Sequence, residues 1–219
     1  YLQPKCNMAT GELVSMEALA RWQKSDGTFV SPEEFIPLFE SSGFITRFDM
    51  YIWKSVCKTL AAWQDKGCKL VPISINVSMI DITNIDVPQY LSMLTEQYHI
   101  SPEYLPVEIT ESVFAESNTI VKNTITRFHK KGFYVLMDDF GSGYSSLNVL
   151  KDANVDYLKL DMKFMQIDAK NKVKGIQILK SIVDMAYRLG LVIIAGGVET
   201  KGQSEILKSM NCNYGQGFY

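Results

Sequence analysis

Histidine is scarce in this chain, with two in 219 residues, and paired cysteine is missing. Cys6, Cys57, Cys68 and Cys212 are scattered without CxxC spacing. That pattern argues against a zinc site of the Cys/His kind or a disulfide framework, and reads as reduced, partly buried thiols in a cytosolic protein. Neither His99, at the end of a helical segment, nor His129, inside another, lies in a strand, so both read as surface or packing residues. No apolar run approaches the roughly 20 residues that span a bilayer, and no signal peptide is present. Neither charge sign dominates: the formal charge is −2 and the pI is near 5.8. Duplex nucleic acid and anionic membrane therefore find no electrostatic footprint here, and an anionic substrate must be held by local cations or metals. Repeats, low-complexity segments and internal linkers are also missing.

What the chain does have is apolar bulk, 47% of its residues, enough for one sizeable core in a single domain. β-type and helical segments alternate, which points to a βα-repeat fold. Tyr1 to Cys6 and Leu13 to Leu19 read as strands joined through Ala9-Thr10-Gly11, closely enough to pair antiparallel. Ser31-Pro32-Glu33-Glu34 starts a helix that ends at Gly43: Ser31 caps, Pro32 takes the first position and Glu34 closes a capping box. Ile45 to Asp65 is helical, with Ile52, Val56, Leu60 and Trp63 on one face. Further strands are expected at 70–77, 105–110, 133–137, 191–195 and from 214, with one more ending at Asp161. Helices are expected at 87–98, 116–131, 173–189 and 202–210. About eight strands with intervening helices make an α/β fold, a modified TIM-type (β/α)8 barrel with an antiparallel first pairing. A doubly wound open sheet is the alternative, although no GxGxxG turn follows the first strand.

The functional face of a barrel lies at the C-terminal ends of its strands. Apolar runs here finish repeatedly on oxygen donors: Glu17, Asn76, Glu108, and the adjacent Asp138 and Asp139. Singly, each has an ordinary explanation as an edge residue, a turn former, a salt-bridge partner or a helix cap. Their recurrence at the same end of successive strands is harder to dismiss, because buried carboxylates need a neutralising cation. Oxygen donors favour Mg²⁺ or Mn²⁺, and five such side chains exceed what one Mg²⁺ takes. Two ions bridged by a shared Asp would suit phosphodiester hydrolysis. Lys159, on the strand ending at Asp161, would orient water or bind phosphate. An enolase-like barrel also combines acids, Mg²⁺ and lysine, but the Asp-Asp pair, Asn76 and Arg21 argue against it.

An ordered set of motifs carries a resemblance across almost the whole chain. It runs through Gln3-Pro4, Glu17-Ala18-Leu19 with Arg21-Trp22, Ile75-Asn76-Val77-Ser78 and Glu108-Ile109-Thr110-Glu111. It continues through Asp138-Asp139-Phe140-Gly141, Gly143-Tyr144-Ser145-Ser146-Leu147, Leu158-Lys159-Leu160-Asp161, Gly197-Val198-Glu199-Thr200 and Gln216-Gly217. Together these resemble the EAL-domain cyclic di-GMP phosphodiesterases. The resemblance implies a single barrel domain over 1–219 that opens cyclic di-GMP to linear pGpG with two Mg²⁺ or Mn²⁺ ions. Glu17, Asn76, Glu108 and Asp138 are then expected to hold one ion, and Asp138 with Asp139 the second. Lys159, Asp139 and Glu111 are the expected catalytic set, with Lys159 at the attacking water and Glu111 steadying the loop after Asp139. Gln3, Leu19, Arg21, Glu199 and Gln216 are the expected nucleotide contacts. The resemblance also implies a homodimer through that loop, attached sensor or GGDEF-type domains, and a cytoplasmic location. Chain ends that look trimmed fit a piece of a larger signalling protein. One departure stands out: where the family reads Ala-Glu-Gly-Val-Glu, this chain has Ala195-Gly196-Gly197-Val198-Glu199. The family's second-metal and general-base glutamate is replaced by Gly196, so impaired turnover is expected. The alternative is a degenerate receptor that binds the dinucleotide and signals through partner domains.

Overall fold

The computed structural model describes residues 1–115, 119–141, 149–151, 153–161 and 172–218, of which Lys172 is described by its backbone alone. The Gly143–Leu147 motif and most of the loop expected to mediate dimerisation lie outside the described residues.

Strand β1 (Leu2–Asn7) turns at Gly11 into β2 (Leu13–Ala18), and a small hairpin follows, β3 (Trp22–Gln23) with β4 (Phe29–Val30). Next come α1 (Pro32–Ser41), α2 (Ile45–Asp65), β5 (Ile73–Asn76), α3 (Met79–Asn84) and α4 (Val87–Gln97). Then follow β6 (Val107–Thr110), α5 (Glu111–Ala115), α6 (Thr119–Lys130), β7 (Val135–Phe140) and β8 (Tyr157–Leu160). The chain continues through α7 (Lys172–Arg188), β9 (Val192–Ala195), α8 (Lys201–Ser209) and β10 (Tyr214–Gln216). Among the described residues, eight strands close a barrel in the order β1-β10-β9-β8-β7-β6-β5-β2. Strand β1 runs antiparallel to both of its neighbours, and the other pairings are parallel. The barrel and its antiparallel first pairing are as the sequence leads one to expect.

Strand alternation divides two interiors. Val107, Ile109, Val135, Met137, Leu158, Leu160, Ile193 and Ala195 face outward into one apolar cluster with Trp53, Leu60, Leu91, Phe128 and Leu179. The intervening residues Glu108, Asp138 and Lys159 face into the barrel, where they meet one another. In the usual barrel, aliphatic layers fill that space; here charged and amide side chains occupy its C-terminal end.

Some local expectations differ from the structure. Strand β7 does not stop before its acids; it runs through them to Phe140, with a register shift against β8 between Met137 and Phe140. Asp139 takes up that irregularity at φ 55°, the left-handed region that Asp tolerates better than most residues. At the start of α1, Ser31 Oγ accepts from the Glu33 N–H, and Glu34 closes no capping box. A box does form at Ser78 with Asp81, starting α3, a helix that periodicity does not predict because it is a turn and a half long.

Asp81 is fully buried, and its Oδ2 is taken by the Ser78 N–H and hydroxyl. Its Oδ1 has no hydrogen-bond partner among the described N–H and O–H groups. Asp49 of α2 can supply one by remaining protonated. Burial first, then the charge of Asp81, a hydrogen bond with Asp81 and the charge of Glu40 push the Asp49 carboxyl up to about 9. The folded state thus keeps a proton that the unfolded chain releases above the ordinary 3.8. The pair's contribution is whole below that pH and is lost progressively as pH rises toward 9. Asp49→Asn keeps a donor toward Asp81 and has no proton to lose. Urea titration should show it more stable by on the order of 1–3 kcal/mol near pH 8 and unchanged near pH 4. An equal effect at both pH values would rule out the shared proton.

Candidate active site

The C-terminal mouth of the barrel collects side chains from seven strands. Lys159 Nζ of β8 stands at the centre, 2.7 Å from Glu17 Oε2, 3.1 Å from Glu108 Oε2 and 3.1 Å from Asp138 Oδ2. Asn76 Nδ2 donates to Glu17 Oε1 at 3.1 Å, and Gln216 Nε2 lies 2.7 Å from Glu17 Oε2 and 2.9 Å from Gln3 Oε1. Gln3 belongs here because β1 runs backwards, which brings its first residues, rather than its last, to this mouth; Gln3 pairs in register with Glu17. Trp53 of α2 fixes the end of β5 from outside, its Nε1 donating to the Asn76 carbonyl at 3.0 Å.

Glu17, Glu108 and Asp138 are all buried, and their carboxylate oxygens lie within 4.8 Å of one another. Burial opposes charge on Glu108, but Lys159, Lys5 and the Ser74 hydroxyl overturn that and hold its carboxyl at about 2. Asp138 goes the other way: burial, reinforced by Glu108, Asp139 and Glu17 and only partly countered by Lys159, pushes it up to about 7. Burial works against the Lys159 ammonium too, but the three carboxylates raise it well above its ordinary value. A buried set of oxygen donors on rigid strand ends, with one carboxylate firmly ionised, fits a hard divalent cation. Glu17, Glu108 and Asp138 supply the acidic donors, and Asn76 a carboxamide beside Glu17. In Gln216 a buried Oε1 still lacks a hydrogen-bond partner among the described groups.

The remaining expected residues sit around this cluster. Asp139 is exposed beyond the bulge, and its charge reaches Asp138. Glu111, buried at the start of α5, accepts from the Gly141 N–H through Oε2 at 2.7 Å, tying α5 to the loop after β7. Leu19 and Arg21 line a cavity of about 490 Å³ that also touches Asp49, Asn76 and Glu108. Arg21 is exposed, its Nη1 donating only locally, to the Ala20 carbonyl. Glu199 is exposed, its backbone N–H donates to Gln203 Oε1 at the start of α8, and among the described groups no hydrogen bond joins its side chain to the cluster. Gly196 continues the pairing of β9 with β8, its N–H donating to the Leu160 carbonyl at 2.9 Å. A Cβ built there would stand 2.9 Å from that same carbonyl oxygen, a backbone atom, so a larger residue requires the backbone at this strand end to move. His129, by contrast, pairs with Asp156 at 3.0 Å, away from these groups. Two residues escape a reading of strand ends: Lys5 and Ser74, buried one layer deeper. Their signal was alternation, since Lys5 follows Gln3 by two positions and Ser74 precedes Asn76 by two.

Comparison with known proteins agrees with this geometry. The family described as "EAL domain" matches residues 1–219. The chain is 36% identical over 219 residues to the "Probable cyclic di-GMP phosphodiesterase PdeB" of Escherichia coli K12, spanning 100% of this chain and 41% of that protein. It is 31% identical over 216 residues to the "Cyclic di-GMP phosphodiesterase PA2567" of Pseudomonas aeruginosa, spanning 99% of this chain and 36% of that one. The chain thus spans about two fifths of the length of these curated relatives. Among solved structures, "PaMucR Phosphodiesterase, c-di-GMP complex" superimposes with a TM-score of 0.87 at 29% identity, covering 99% of this chain and 87% of that one. With a family match along its full length and the acid–lysine cluster at the barrel mouth, the chain belongs to the EAL domain family.

Proposed function

We propose that this domain hydrolyses cyclic di-GMP to linear pGpG, at a rate reduced by Gly196. The observation that carries the reading is the Glu17–Glu108–Asp138 cluster around Lys159, bordering a cavity lined by Leu19 and Arg21. Glu17, Asn76, Glu108 and Asp138 would hold one Mg²⁺ or Mn²⁺, and Asp138 with Asp139 a second. Such ions, when bound, polarise the phosphoryl oxygens and acidify water.

The chain's own groups supply the rest. Lys159 gives its three N–H donors to Glu17, Glu108 and Asp138, and would turn one of them to a water beside phosphorus when those acids are engaged by a cation. The oxygen of water forms the new P–O bond as the P–O3′ bond breaks, and the proton that the water gives up ends on the freed 3′ oxygen. Arg21, exposed at the cavity, would grip the other phosphate with its guanidinium. Leu19 offers an apolar edge to a base, and Gln3 and Gln216 offer amides at the opposite side of the mouth. Glu111 would hold the loop after Asp139, which this reading assigns to dimerisation and control. Glu199 remains the weakest of the proposed contacts, since its side chain is exposed and its backbone serves a helix start. Attached domains and a cytoplasmic setting belong to the same reading, and the greater length of the named relatives supports the first of these.

A second reading, a receptor that binds the dinucleotide without turnover, is favoured by one observation, the glycine at position 196. Pieces of β9 offer no carboxylate that could stand in for a general base, a loss worth about 10²–10⁴-fold in rate. The two readings part in one assay, pGpG formation with Mn²⁺. The unmodified chain should turn over slowly, lose all turnover in EDTA, and gain about 10²-fold or more on Gly196→Glu. No pGpG from either protein, with cyclic di-GMP still bound in the presence of Ca²⁺, would leave only the receptor. Arg21→Ala should weaken cyclic di-GMP binding about tenfold or more in calorimetry; unchanged affinity would remove Arg21 from the phosphate.

A further inference from the structure

We infer that Lys5, acting with Ser74, is a positioning residue that fixes one oxygen of Glu108 so that the other alone is offered as a metal ligand. The inference rests on the metal-site reading above and extends it to a layer beneath the mouth. Lys5 is 1% exposed, so its charge is cut off from solvent. Its Nζ makes an ion pair with Glu108 Oε1 and donates to Ser74 Oγ at 2.7 Å. The Ser74 hydroxyl hydrogen-bonds the same Glu108 Oε1, and the Met16 carbonyl is its other acceptor in reach, at 3.1 Å. Both partners therefore converge on Oε1 from below, while Oε2 points up toward Lys159 at 3.1 Å.

A carboxylate with two free oxygens can rotate or bind an ion through either or both. Two donors on one oxygen remove that freedom, and partners of this kind behind a ligand commonly govern metal affinity. The two lysines thus have different places. Lys159 lies among the ligand oxygens, where an incoming cation would compete with it. Lys5 lies behind Glu108, where its charge can stay in place when the cation arrives. The reversed direction of β1 makes this possible: Gln3 reaches the mouth, and Lys5, two residues further along the same face, enters one layer below.

The structure also gives access to this position. At the N-terminal end of the barrel a cavity of about 350 Å³ is lined by Lys5 and Ser74, with Ser15, Leu136, Ile194 and Tyr214. Truncating Lys5 to alanine removes three carbons and the ammonium, and propylammonium is that missing piece. The cavity offers it a route that does not pass through the mouth.

The experiment measures Mn²⁺ affinity by calorimetry or electron paramagnetic resonance, with no substrate present, on the unmodified chain and on Lys5→Met, Lys5→Ala and Ser74→Ala. Circular dichroism on each protein establishes that it is folded. Lys5→Met should weaken Mn²⁺ binding about 10–100-fold, and Ser74→Ala severalfold. Propylammonium should restore a large part of the affinity of Lys5→Ala, while the neutral analogue 1-propanol should not. A merely structural lysine would change the unfolding midpoint and leave Mn²⁺ affinity alone. Wild-type affinity in folded Lys5→Met, in folded Ser74→Ala, or in Lys5→Ala without propylammonium would overturn the inference. Absence of Mn²⁺ binding by the unmodified chain would instead strike at the metal site itself, and with it the inference.

Discussion

Three carboxylates share the interior of one barrel mouth, and the surrounding structure is arranged around keeping them there. Each is buried, so each would be costly as an unpaired charge. Lys159 satisfies all three at once from their centre. Burial works against its charge, and the three acids more than offset that. Neither side of this arrangement is stable without the other, and a divalent cation offers the same compensation more strongly. The two best-defined acids differ because their partners differ. Glu108 has two lysines and a hydroxyl, whereas Asp138 shares one lysine and faces three like charges, so the first stays ionised and the second sits near neutrality.

Closing the barrel with a reversed strand is the second constraint. Because β1 is antiparallel to β2 and β10, the amides of Gln3 and Gln216 meet at the mouth. The closure is tight on the β10 side. A Cβ at Gly217 would stand 2.0 Å from the Val198 carbonyl oxygen, so the backbone must approach there with no side chain between. The Gln216-Gly217 pair thus joins two needs: an amide that reaches Glu17, and a residue slim enough to let the chain pass Val198.

Much of this was legible in the sequence because strands impose a period of two. Glu17, Asn76, Glu108 and Asp138 could be read as converging since each ended an apolar run, and alternation leaves one face for the barrel interior. Residues deeper in the strands were missed for the same reason in reverse. Lys5 and Ser74 lie where apolar side chains normally fill the barrel, and a lysine beside a proline and a cysteine looks unremarkable until its opposite strand is known. The Asp49–Asp81 pair was illegible because one carboxyl lies on a long helix and the other on a short one, and only packing brings them together. Short elements failed likewise: α3 was signalled by Ser78 and Asp81 at capping-box spacing, but six residues are too few for periodicity to speak. At β7 the adjacent acids looked like the end of a strand, whereas a left-handed Asp139 lets the strand absorb them and continue.

Going round the barrel, the charges are unevenly dealt, and this decides what Gly196 means. Strands β2, β5, β6 and β7 are consecutive neighbours and contribute Glu17, Asn76, Glu108 and Asp138, the oxygen donors that the proposed reading gives to one cation, from a single arc. The other arc, β8, β9, β10 and β1, has no acidic residue within its strands. It offers Lys159, Gln216, Gln3 and Lys5 instead. A glutamate at 196 would have added a carboxylate at the end of β9, next to Lys159. On the proposed reading, glycine there leaves the donors of the first cation site untouched, while the second ion beside Asp138 and the exposed Asp139 loses a carboxylate from β9. Position 196 therefore separates capture of a first cation from assembly of a second, and on the proposed reading turnover suffers more than ligand binding.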